Sequence, residues 1–160
     1  MGTISILERA EARLYCTELS RELLDTIKKL NEKNDIYIAI VPLTLAERVG
    51  VEAILSAATA ACIAWQRGAG IARVKGLDTL LYLTGSRNIG RVVAEHGPKP
   101  GDQVVVVALA CGDPKEPLLE LERAIVGGSR GPAGACRLPQ SRPEHVTKAA
   151  IMPIEARVYR

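Results

Sequence analysis

The run QVVVVALA, residues 103–110, limits the fold more than any other stretch of this chain. Its β-branched residues, preceded by the turn-rich HGPKPGD, read as the central strand of a sheet. The longest apolar run, residues 104–111, is far too short to cross a bilayer as a helix. A central strand needs partners to pair with and helices to cover it. DIYIAIVP at 35–42 is a second β-rich run, closed by Pro42 and with both faces largely covered. ARLYCT at 12–17 reads as a short strand. At 151–160, Ile154, Ala156 and Val158 alternate with Glu155, Arg157 and Tyr159, as in a half-buried terminal strand.

Helical periodicity fills the space between. Leu19, Leu23, Ile27 and Leu30 share one face, with Thr17 as the expected N-cap and Asn34 as the expected stop. Over 49–66, the residues Val51, Ile54, Leu55, Ala58, Cys62 and Trp65 form a stripe. The remaining face is Ala-rich and open to close approach by a helix or a partner. Leu77, Leu80, Leu81 and Thr84 form one short helical set, and Ile89, Val92, Val93 and His96 another. Between them Gly85 suits a left-handed helix end and Ser86 suits a cap, which puts Arg87 and Asn88 in the next first turn. A cation there gains nothing from the helix dipole, a hint that Arg87 serves something outside the helix. Asp113, Pro114 and Glu116 have capping-box register before a helix through Leu118, Leu121, Ile125 and Val126. Residues 127–142 form a Gly/Pro-rich loop with three arginines, and a short helix is expected over 143–149. With no Phe, one Trp and four Tyr, the core must be aliphatic. The 160 residues suit a single domain, α+β, with a mixed β-sheet packed by helices.

No catalytic set emerges. Gly68-Ala69-Gly70 follows a helix instead of opening one, so it lacks the context of a dinucleotide loop. His96 and His145 have no metal-ligand spacing, and GSRNIG is not a nucleophile elbow. Cys16, Cys62, Cys111 and Cys136 form no CxxC pair. Nothing at the N-terminus reads as a signal peptide, so buried thiols in a reducing cytosol are expected. No metal and no cofactor is expected. The net charge of +3 is mild, but Arg67, Arg73, Lys75, Arg87 and Arg91 fall in one window with Asp78 as the nearby acid. Such residues suit phosphate contacts as well as they suit a solvated rim.

One block also carries a resemblance. GIARVKGLDTLLYLTGSRNI, followed by a short helix and DQVVVV, resembles the Cgi/TPRKB family of small subunits of the KEOPS complex. That family carries a Leu-Leu-Tyr-Leu/Ala-Ser-Gly-x-Arg-Gln-Ile run, which here is residues 80–89. Thr84 and Asn88 replace the usual Ser and Gln, Asp78 stands where Glu is common, and Gly70 where many members have Asn. The likeness covers residues 18–126 in element order and 70–107 at motif level.

The resemblance implies a cytoplasmic, non-catalytic subunit, with an archaeal source expected. It would bind and stimulate the small atypical kinase/ATPase of the complex and meet the threonylcarbamoyl-transferase subunit only within the assembly. It would also help hold tRNA near its 3′ end while another subunit modifies adenosine beside the anticodon; a dimer of the chain is a further expectation. The tRNA-binding candidates are Arg67, Arg73, Lys75, Arg87, Asn88 and Arg91. The kinase-interface candidates are Leu80, Leu81, Ile89, Val92 and Val93. Two rivals stand beside this reading: a small enzyme with its site around Cys111-Gly112-Asp113 at a strand end, and a scaffold or oligomerisation module without RNA binding.

Overall fold

Val104, Val105, Val106 and Val107 are wholly buried, and their strand is paired along both edges, as a central strand must be. The computed structural model describes residues 4–5, 10–33, 35–70, 74–111, 115–128 and 138–142. In chain order the elements are β1 (Ile4–Ser5), β2 (Ala10–Glu18), α1 (Arg21–Asn31), β3 (Ile36–Pro42), α2 (Leu43–Val49), α3 (Val51–Gln66), α4 (Leu77–Thr84), α5 (Ile89–His96), β4 (Gln103–Cys111) and α6 (Lys115–Gly128). The architecture is α+β, as expected. The expected helix over 143–149 and the terminal strand at 151–160 lie outside the described residues, as do Asn34, Asp113 and Pro114.

The sheet has the order β1-β2-β4-β3, and every described pair is antiparallel, which corrects the expectation of a mixed sheet. The reason is topological. α1 joins β2 to β3, and the two strands run parallel, but β4 inserts between them and runs against both. Because strand side chains alternate, β4 sends Val104, Val106 and Ala108 to one face and Val105, Val107 and Leu109 to the other. The first face carries α1 and α6 through Leu23, Ile27, Leu30, Leu118, Leu121 and Ile125. The second carries α2, α3, α4 and α5.

Several local expectations shift. α1 is capped by Ser20, whose Oγ accepts from Leu23 N at 3.0 Å, while Thr17 is buried within β2. The strand runs further than its apolar pattern suggested and so displaces the helix start. α2 is a helix the periodicity missed, two turns long and set against α3 at a bend of 106° at Gly50. Its φ of 85° is what lets the chain turn so sharply. In α3 the buried face includes Ala53, Ala57, Ala58 and Ala61, so the Ala-rich surface is internal, not open to a partner. Small side chains let α3 lie close to α4 and the sheet.

Among the described residues no single helix is long and apolar enough to cross a membrane. α2 and α3 reach that composition only as a bent pair, and much of it faces the core. Cys62 is buried and in no disulfide, whereas Cys16 is disulfide-bonded, which corrects the expectation of thiols throughout. Cysteine spacing could not reveal this, because pairing depends on which segments meet in space.

Candidate nucleic-acid interface

The corner between α4 and α5 takes the expected shape with a different assignment of parts. Gly85 ends α4 in the left-handed conformation at φ 68°, its N–H bonded to Leu81 O. α5 starts at Ile89, so the cap is Asn88 and not Ser86: Asn88 Oδ1 accepts from Arg91 N at 3.0 Å. Ser86 braces the turn one step earlier, its Oγ accepting from Asn88 N at 3.1 Å. Arg87 and Asn88 therefore precede the helix instead of lying in its first turn, and both are exposed. The residue that does sit in the first turn against the dipole is Arg91. It is offset by Glu95 one turn on, with Nε 3.0 Å from Oε1.

The cationic window does not gather at one place. Lys75 lies before α4 and Arg87 after it, at opposite ends of an eight-residue helix about 12 Å long. Lys75 turns back onto the protein, its Nζ donating to Lys33 O at 2.8 Å and to Ile36 O. Arg67 is the exposed C-cap of α3. Arg73 lies outside the described residues. Asp78, the acid of this window, is entirely buried.

What the corner gains comes from elsewhere in the chain. A cleft of about 490 Å³ opens between α2 and the corner, lined by Arg48, Thr84, Ser86, Arg91, Glu95 and His96 among others. Arg48 is exposed in the last turn of α2. Sequence reasoning missed it because α2 itself was not recognised. The one signal available was LTLAERV, in which Leu45, Ala46 and Val49 have helical spacing. Two arginines from different elements, a turn hydroxyl and the half-buried His96 make this a polar cleft able to contact phosphate. His96 Nε2 lies 3.8 Å from Glu95 Oε2, and no hydrogen bond among the described residues joins it to Ser86.

The kinase-interface candidates divide sharply. Leu80, Leu81 and Val92 are 1%, 0% and 2% exposed and belong to the core, which corrects their assignment to an interface. Withdrawing a buried Leu costs about 2 kcal/mol, more than a contact surface can ask of several residues at once. Ile89 is half-buried against that core, and Val93 is 45% exposed.

A larger cleft, about 880 Å³, runs along the outer edge of β3 and is mainly apolar; Cys62 lines it, with no histidine among the lining residues. No group of three His, Cys, Asp or Glu side chains among the described residues is placed to hold a metal. The side chain of Cys111, together with Gly112, Asp113 and His145, lies outside the described residues. No protein-family model matches the chain, and no curated protein matches it.

Proposed function

We propose that this chain is a non-catalytic accessory subunit of a KEOPS-like assembly, binding tRNA through the α2/α5 cleft and the atypical kinase through the exposed side of α5. The observation that carries the RNA half is the convergence of Arg48 with Arg91 and Ser86, beside the outward Arg87 and Asn88. The kinase half rests on the resemblance over residues 70–107 and on Val93, with Ile89 beneath it, as apolar surface on α5. Threonylcarbamoyl transfer stays with another subunit, so no cofactor is assigned here. The cytoplasm comes with the resemblance. A disulfide at Cys16 is uncommon in a reducing compartment except in hyperthermophiles, which fits an archaeal source.

The test is a titration against tRNA with an intact or a trimmed 3′ end at several salt concentrations. Arg48→Glu and Arg87→Glu are each expected to weaken binding about tenfold and to make the salt dependence shallower, with the fold intact. Equal and negligible binding of both tRNA forms would remove the RNA reading. Val93→Asp is expected to abolish co-purification with the kinase while tRNA binding persists. The scaffold reading draws on Lys75 and Arg91 being engaged within the protein, and it gains if only the RNA arm fails.

A further inference from the structure

α3 begins without a side-chain cap of its own. Its N-cap is Gly50, which has no acceptor to offer the first amides. A segment 88 residues further on supplies one: Ala53 N–H donates to Ser141 Oγ at 2.8 Å. Val51 N–H donates to Pro139 O at 3.1 Å. Ser141 N–H in turn donates to Glu52 Oε2 at 2.7 Å. This is the reciprocal arrangement of a capping box, divided between two distant parts of the chain. Leu138 anchors the segment on the core. A Cβ at Gly50 would come within 2.7 Å of Ser141 Cα, so the two backbones need the glycine to meet. The bond from Ser141 also holds the Glu52 carboxyl below its ordinary range. Gly50 adjoins Val49, which lines the cationic cleft, and Arg142, next after Ser141, is exposed.

We propose that residues 138–142 are a latch that carries Arg142 to the rim of the cleft, with Glu52 and Ser141 as positioning residues for a bound polyanion. The proposal rests on the RNA reading above and adds to it a second cationic segment, whose place depends on an acidic side chain. That dependence makes the sign of one substitution diagnostic. Glu52→Ala deletes a negative charge beside a cationic surface, so simple Coulomb attraction would tighten polyanion binding. The latch demands the reverse.

The experiment uses the full chain with tRNA as probe. Glu52→Ala and Ser141→Ala are expected to weaken binding several-fold and to reduce the log–log salt slope by about one. Arg142→Gln is expected to do the same in the wild type and to add nothing in the Glu52→Ala background. Amide exchange at Val51 and Ala53, measured without RNA, reports the latch separately and is expected to quicken in both alanine variants. Tighter binding by Glu52→Ala, or a full further loss from Arg142→Gln in that background, overturns the proposal. Unchanged exchange in a chain that binds tRNA removes the latch alone. Protected amides in a wild type that fails to bind tRNA remove the RNA reading, and the latch's role in it falls too.

Discussion

Tyr15 carries its phenol into the seam between β2 and α6, where it shares one carboxylate oxygen of Glu122 with Arg13, each at 2.7 Å. Burial first, and then the bond to Glu122, push the phenol up to about 12 from an ordinary 10.0. Its folded value is thus raised, so its contribution to stability is fully present below pH 10 and is lost as pH rises toward 12. Tyr37, wholly buried and bonded to Thr79 at 2.9 Å, is pushed the same way by desolvation. Denaturation midpoints followed between pH 9 and 12 are therefore expected to fall less steeply in Tyr15→Phe than in the wild type, as roughly expected of a one-proton linkage. Identical slopes would mean that the phenol titrates as it does in water. Such partners are invisible in a sequence. Gly85 was legible, because a left-handed helix end asks for glycine. Asn88 was not, because the same amide suits a cap or a base edge, and the helix start decides between them.

β3 lies at the edge of the sheet yet offers little free backbone over its first half. Asn31 Oδ1 accepts from Ile38 N at 2.8 Å, and Asn31 Nδ2 donates to Ile38 O at 2.9 Å, as a neighbouring strand would. Lys75 closes the next carbonyl along, at Ile36. This covers an edge that could otherwise recruit another chain. Asn31→Ala is expected to cost about 1–3 kcal/mol in chemical denaturation and to raise self-association in light scattering. An unchanged midpoint with no added association would show the edge to be protected by other means. β2, β3 and β4 were readable, β3 and β4 from their β-branched runs, and most helices from an apolar period near four; the two-residue β1 was not. α2 was not, because two turns hold too few apolar positions to stand out from the strand before them. The Ala-rich face of α3 was readable as a close-packing surface, but its occupant, α4 and the sheet, was not.

The two cores meet across one sheet, and the cysteines report on that assembly. In denatured, unreduced protein, alkylation is expected to label Cys62 and leave Cys16 unmodified, with both labelled after reduction. In the native state Cys62, 5% exposed, is expected to react slowly. Labelling of Cys16 without reductant would restore the free-thiol reading. The amino-acid order by itself settled the α+β class, the central valine strand and the helix–glycine–helix corner, because each is set by neighbours along the chain and a period that repeats every few residues. Folding in three dimensions settled the rest: Leu80, Leu81 and Val92 inside, Arg48 opposite Arg91, Ser141 over the start of α3. Those placements follow from which surfaces bury best against the sheet, a sum over residues far apart in sequence that no local pattern contains.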